Sequence, residues 1–185
     1  ITGGQPTAGS GDWNGVGVFV AECKNLLMVS CVITNNRMLL SNATKRGGGL
    51  YAVSNDWLIV SNSLIRDNHL SGNGGGNSIG GGICNVFGRL RCVNTEISSN
   101  SAAGSSIGAA VFNYGTNELV NCLVYANVMT SPQSGNSGIL DNFALAGGRL
   151  SVVNCTIVSN GWATGSGLRT ASPSLTVATN SIFWW

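Results

Sequence analysis

Charge is what this sequence most lacks. Asp, Glu, Lys and Arg supply 9% of its 185 residues, against about 25% in an ordinary soluble domain. The nine basic residues are scattered and the formal net charge is only +2, so there is no basic cluster of the kind that marks a nucleic-acid binder. Histidine occurs once, as His69, and proline three times. None of the six cysteines (Cys23, Cys31, Cys84, Cys92, Cys122, Cys155) pairs in Cys-x-x-Cys spacing, which argues against a structural zinc site. Nothing in the sequence asks for a cofactor. No apolar run approaches the roughly 18 residues of a membrane-spanning helix; the longest, "NLLMVSCVI" at 25–33, is broken by polar residues. No secretory leader is visible and the chain begins at Ile1 without Met, which reads as a processed or truncated piece of something larger.

What the sequence has instead is glycine, 27 residues of it, with abundant Asn and Ser and a 43% hydrophobic fraction rich in β-branched residues. Gly, Asn and Ser disfavour helix interiors, and the apolar content is too high for a disordered chain. The organisation is a repeat. "NCTIVSN" at 154–160 recurs as "NSLIRDN" (62–68), "NTEISSN" (94–100) and "NCLVYAN" (121–127); "SCVITNN" (30–36) opens on Ser, and "NSIFWW" (180–185) starts the pattern again. Take the first residue of each copy as position zero. Position −2 is then apolar (Met28, Val60, Cys92, Leu119, Val152, Ala178) and position +1 small (Cys31, Ser63, Thr95, Cys122, Cys155, Ser181). Position +3 is large and apolar (Ile33, Ile65, Ile97, Val124, Ile157, Phe183). Alternation with period two is the signature of a strand. Ahead of each copy a Gly- or Ala-led step enters an apolar residue: Gly17-Val18, Gly49-Leu50, Gly82-Ile83, Ala110-Val111, Gly138-Ile139 and Gly167-Leu168. Two or three short strands per repeat fill the interval and leave no room for a helix.

Strands recurring every 26–33 residues predict an all-β chain: a right-handed, single-stranded parallel β-helix (solenoid) of about six coils stacked at about 4.8 Å. The hand follows the preference of parallel crossovers. Residues 1–185 read as one such domain, with 1–14 a partial first coil or linker and the last coil incomplete. Asn62, Asn94, Asn121, Asn154 and Asn180 share position zero and are expected to form a structural ladder at the bend, each amide bonding to backbone and to the next Asn. The segments "GGGL…IRDN" (47–68), "GGGI…ISSN" (80–100) and "GAAV…VYAN" (108–127) resemble the paired Gly-Gly-Ala-Ile and Phe-x-x-Asn motifs of the polymorphic outer-membrane-protein repeat family. "NSIFW" resembles the ending of large, autotransporter-passenger-like bacterial surface proteins. Ile or Val stands here where the family motif has Phe. The resemblance covers roughly residues 15–185. It implies a β-helix at the bacterial surface or outside the cell, and it leaves adhesins, polysaccharide-degrading enzymes and structural fibres open as functions.

A lytic or hydrolytic site would need carboxylates gathered on one face with a basic residue. The acids Asp12, Glu22, Asp56, Asp67, Glu96, Glu118 and Asp141 do not share columns on neighbouring coils, and Glu118 falls beside Arg91 as a surface ion pair. The densest polar cluster offers Arg66, Asp67 and His69 as a candidate polar site, against the plainer reading of a strand end and turn. "SGNGGGNSIGGG" (71–82) lacks the Gly-Lys-Ser/Thr ending of a phosphate loop and reads as a turn. The sequon Asn154-Cys155-Thr156 sits in the ladder column, where burial would keep a glycan off; Asn42-Ala43-Thr44 is the better exposed sequon. Cys31, Cys122 and Cys155 read as buried thiols, small hydrophobes in effect. Cys23–Cys31 and Cys84–Cys92 loops are the alternative in an oxidising compartment.

Positions +2 and +4 should face outward. They gather Val32, Leu64, Leu123, Tyr125, Val158, Ile182 and Trp184 among polar neighbours such as Glu96 and Arg66. A face about half apolar marks a candidate interaction surface, unless the loops 69–79, 101–107 and 128–136 fold over it. Trp57, Tyr125 and Trp162 are suited to stacking on sugars but fall in different columns. The functional expectation is a non-enzymatic extracellular or bacterial cell-surface module, an adhesin-like passenger or self-assembling fibre component. It would self-associate, end to end or through the apolar face, or bind a carbohydrate or host-surface ligand, without nucleic acid, metal or cofactor. The alternative is a polysaccharide lyase or glycoside hydrolase of the pectate-lyase-like class.

Overall fold

The computed structural model describes residues 1–5, 12–39, 43–71, 76–130, 137–143, 148–162 and 166–184. Asn42, the stretches 72–75 and 131–136, the side chain of Trp162 and Trp185 lie outside the described residues. The strands pair in parallel, coil upon coil, and no described residue is helical. Coil 1 runs through Trp13–Asn14, Val18–Ala21, Asn25–Val29, Val32–Thr34 and Arg37–Met38. Coil 2 follows with Lys45–Arg46, Leu50–Val53, Trp57–Ser61, Leu64–Arg66 and His69–Leu70. Five strands per coil exceed the two or three that the alternation suggests. In coils 3 and 4 the second and third fuse, as Ile83–Val93 and Val111–Val120. Stacking builds sheets of four, five, six and ten strands. The solenoid has about four complete coils rather than six. Coils 5 and 6 repeat the motif-bearing strands Thr156–Val158 and Ile182–Trp184 but, among the described residues, add none to the four-stranded sheet.

Period two decides what is inside. Met28, Val60, Cys92, Leu119, Val152 and Ala178 pair coil to coil in register. So do Ile33, Ile65, Ile97, Val124, Ile157 and Phe183. Residues of both columns join Leu50, Ile83, Val111 and Leu140 in one apolar core, where each buried Ile or Leu contributes about 1.5–3 kcal/mol. In coil 5 Leu140, not Ile139, stands opposite Val111 and Leu168. A second apolar cluster lies outside the ring. Tyr51, Cys84 and Phe112 alternate with core residues, so they point outward, yet they are buried. Ile79 and Ile107 of the four-stranded sheet pack on them.

The ladder that matters most is not the expected one. Position +6 supplies Asn36, Asn68, Asn100, Asn127 and Asn160, all buried. From Asn36 to Asn127 each backbone N–H and each Nδ2 donates to the Oδ1 one coil on: Asn68 to Asn100 at 3.1 and 2.9 Å, Asn100 to Asn127 at 3.0 and 3.0 Å, Asn127 to Asn160 at 3.0 and 2.9 Å. The second Nδ2 proton goes back to a carbonyl of the preceding coil, as from Asn100 to Ile65 at 2.9 Å. Glycine makes room for these amides. A Cβ on Gly49 would lie 2.9 Å from Asn68 Nδ2 and 2.7 Å from the Gly82 carbonyl.

Position zero lies at an exposed bend in the left-handed region, with φ of 48° at Asn94 and 53° at Asn154. Asn tolerates that region better than most residues. Its amides link side chain to side chain on the surface, Asn94 to Asn62 and Asn121 to Asn94 at 3.2 Å, Asn180 to Asn154 at 2.7 Å. Position +1, always Ser, Thr or Cys, closes the same bend: Ser63 and Thr95 donate to the carbonyl two residues back, and Cys31 N–H donates to Ser63 Oγ at 3.1 Å.

The two Asn columns should differ in weight. Asn100→Ala leaves buried donors and a carbonyl unpaired and is expected to remove about 3 kcal/mol or more, whereas Asn94→Ala loses an exposed bond and pays for αL, about 1–2 kcal/mol. Urea unfolding of both variants checks this; equal losses would remove the buried ladder from its special place.

Candidate functional site

The residues singled out by sequence do not form one site. The face of the six-stranded sheet carries Val32, Leu64, Glu96, Leu123, Thr156 and Ile182 in one column and Thr34, Arg66, Ser98, Tyr125, Val158 and Trp184 in the other. Val32, Leu123 and Ile182 are exposed, Leu64, Tyr125 and Val158 half-buried, and Trp184 is 72% exposed. Glu96 is held within this face, accepting from Ser98 Oγ at 2.7 Å and Tyr125 OH at 2.9 Å. The segments 69–71, 76–79 and 101–107 are not loops over it; they contribute rungs to the five- and four-stranded sheets.

Arg66 and Asp67 form a half-exposed pair at 3.6 Å. His69 lies on the five-stranded sheet between Arg37 and Ser101, its Nδ1 2.7 Å from Ser101 Oγ. Burial, with Arg37 adding to it, holds its pKa below the ordinary value. The Arg91–Glu118 pair closes at 3.0 Å. Asn154 is exposed, so burial does not bar a glycan there; its Oδ1 instead receives the Asn180 amide. All six cysteines are free thiols. Cys122 and Cys155 are buried, while Cys31 of the same column is only half-buried on coil 1, where its sheet ends.

A groove that no single column announces lies on the ten-stranded sheet, where its two arms meet. Coil 2 spends three residues on this bend, 54–56; coil 3 spends two, Phe87 and Gly88; coil 4 spends one, Gly115. In coil 5 the chain lengthens again between Asn142 and Arg149. The shortening leaves a notch of about 630 Å³. Its floor is Gly88 and Gly115, stacked so tightly that a Cβ on Gly115 would lie 2.4 Å from the Gly88 carbonyl. Beneath it Asn85 Nδ2 ties the bend down, donating to Gly88 O at 2.9 Å and Asn117 Oδ1 at 2.6 Å.

One wall is aromatic. Phe87 is 64% exposed at a φ of 55°, a conformation uncommon for a bulky residue, and it meets Tyr114 edge to face at 4.9 Å. Tyr114 stacks in turn on Phe143 at 6.0 Å. The other wall is Trp57, 39% exposed with the Arg89 guanidinium 5.5 Å over its ring, and then Thr116. Asp56 is the one carboxylate among the described lining residues. The unequal bends are visible in "VSNDW", "VFGR" and "YGT", but only once the strands on both sides have been aligned.

Next to this wall Asp141 is buried in the outward column, its two oxygens 3.1 and 3.2 Å from Arg169 Nη1 and one of them 3.0 Å from the Gly138 amide. Arg169 lies 5.2 Å over Phe143. Burial outweighs the ion pair and pushes the Asp141 carboxyl up to about 6. Among the described residues no three His, Cys, Asp or Glu side chains converge as metal ligands would, and no helix is long and apolar enough to cross a membrane. No family model matches the chain, and comparison with curated proteins and with solved structures finds no match.

Two measurements follow from these environments. Because the folded carboxyl of Asp141 titrates near 6 and its ordinary value is 3.8, this site favours folding fully below about pH 4 and loses that contribution as pH rises through 6. The stability difference between wild type and Asp141→Asn should therefore change between pH 4 and 6 and flatten above; a pH-independent difference would contradict it. A thiol reagent should label Cys23 and Cys31 in the native protein. Cys84 and Cys92, both fully buried with burial raising their pKa (Cys92 to about 12), should react only on unfolding; rapid native labelling of either would contradict the packing.

Proposed function

We propose that this chain is a non-enzymatic recognition module of an extracellular or bacterial cell-surface protein, an adhesin-like β-solenoid that holds a carbohydrate in the groove at its bend. The supporting observation is the groove's wall chemistry: exposed Trp57 and Phe87 and half-buried Tyr114, together with Arg89, Thr116 and Asp56. Sugar rings offer apolar C–H faces to aromatic side chains and hydroxyls to polar groups at the edges, and sites of a few hundred Å³ with a few placed polar groups suit ligands of that size. Glycoside hydrolysis ordinarily uses two carboxylates, and the described lining offers Asp56 alone.

Self-assembly is the second reading, and the exposed Val32, Leu123, Ile182 and Trp184 on the six-stranded sheet favour it. Exposed apolar side chains gathered on one sheet face are a common mark of an association surface.

Retention on a panel of immobilised polysaccharides, with assay of the eluate for new reducing ends and unsaturated products, tests the first reading. Retention without cleavage is expected, and Trp57→Ala should weaken it about ten-fold or more, equivalent to about 1.4 kcal/mol, while leaving the unfolding midpoint within a small shift. Cleavage products would turn the reading to the lyase or hydrolase class. Undiminished retention of Trp57→Ala would move the site elsewhere. Sedimentation across concentration separates self-assembly, a strict monomer at high concentration overturning it.

A further inference from the structure

We infer that the saccharide held by this groove is acidic, its carboxylate or sulfate lying across Arg89, Thr116 and Arg149. The inference rests on the groove being a saccharide site and goes further by assigning the charge. These three residues stand in one column on consecutive coils, Arg89 opposite Thr116 and Thr116 opposite Arg149. Two stacking steps put the arginine backbones about 10 Å apart, with a hydroxyl between them. Both arginines and Thr116 are exposed.

What singles out Arg89 and Arg149 is what the other arginines do. Arg46 pairs with Asp12, Arg66 with Asp67, Arg91 with Glu118 and Arg169 with Asp141. Arg37 donates to Asn35 Oδ1. Among the described residues Arg89 and Arg149 are left with neither an acid nor an amide on the guanidinium, and Arg89 contacts only the Trp57 ring. In a chain so poor in charge, one unpaired guanidinium in the groove wall and a second in the same column beside its Gly148 edge are a concentration of positive charge. A guanidinium offers a planar fork of donors that matches carboxylate and sulfate oxygens.

The groove is also polarised along the solenoid axis. Asp56 and Trp57 lie at the coil 2 end and Gly148 at the coil 5 end, with Arg149 next to it in the column of Thr116. An acidic sugar unit therefore belongs against Tyr114 and Thr116, between the two arginines, with a less charged unit over Trp57. One coil step is close to the length of one sugar unit in an extended chain, so successive units fall on successive coils.

The test uses one backbone with three charges: immobilised dextran, carboxymethyl-dextran and dextran sulfate, with the intact chain at low and moderate salt. Expected is retention at least ten-fold stronger on a charged derivative than on dextran, weakening with salt. The double variant Arg89→Gln/Arg149→Gln should lose it, while Arg37→Gln, distant on the five-stranded sheet, should keep it. A preference for the carboxymethyl or the sulfate form supports the proposal and names the acid group. Equal retention on dextran and its charged forms overturns the acidic assignment and leaves the saccharide reading standing. Equal loss in Arg37→Gln overturns it in favour of bulk charge. No retention on any of the three matrices, nor on the wider polysaccharide panel, overturns both.

Discussion

A buried amide bonded to the amide above it is the constraint on which this solenoid depends. From Asn68 to Asn160 each Oδ1 takes two hydrogen bonds from the preceding coil, and each Nδ2 returns one to a carbonyl. An unpaired amide in that position would lose one to three kcal/mol per group, roughly, so the ladder holds only if every coil presents Asn at the same height. That height demands bare backbone opposite, which Gly17, Gly49 and Gly82 provide by packing directly on Asn36, Asn68 and Asn100. The paired glycine-rich and Asn-ending motifs of each repeat are therefore two sides of one contact across the interior. Scarcity of charge follows from the same stacking. Stacking sets the same position of each repeat about 4.8 Å from the next, and a column of equal charges would repel along its length.

The groove lies where that constraint is weakest. The bend between the arms of the ten-stranded sheet carries no continuous Asn ladder of its own; Asn55, Asn85, Asn113 and Asn142 bond by differing routes. Its length is free to vary while the strands on both sides keep register. Variable length produces the notch, and the positive φ of Phe87 accompanies its exposure beside it. The apolar face of the six-stranded sheet is the opposite case, a regular surface whose columns descend directly from the repeat.

Most of the fold could be read from the sequence, because stacked columns turn a weak period-two signal into six aligned copies. The −2 and +3 columns pair as their spacing implies. Other positions were legible in type but not in place. Position zero and position +6 are both Asn, and nothing in composition says that Asn62 lies at an exposed left-handed bend while Asn68 is sealed inside. The small +1 column looked like filler; that all six members carry Oγ or Sγ was the signal for its hydrogen-bonding role. Six copies of the motif suggest six complete coils, but among the described residues the motif strand repeats in coils 5 and 6 without adding to the four-stranded sheet. The groove escaped because it depends on the difference between repeats, whereas alignment keeps what they share. Trp57 had been noticed, but Phe87, Tyr114 and Arg89 join it only through the shortening bend.

That shortening, from three residues to two to one, makes the shape of the groove a matter of insertions and deletions. A residue gained or lost at the bend is absorbed between two pinned strands and leaves the core untouched, yet it redraws the concavity proposed above as the binding site. Substitution can alter which groups line such a site; its very shape changes by counting. A lineage of these repeats would diversify its targets by arithmetic on one short connection while its interior stayed frozen.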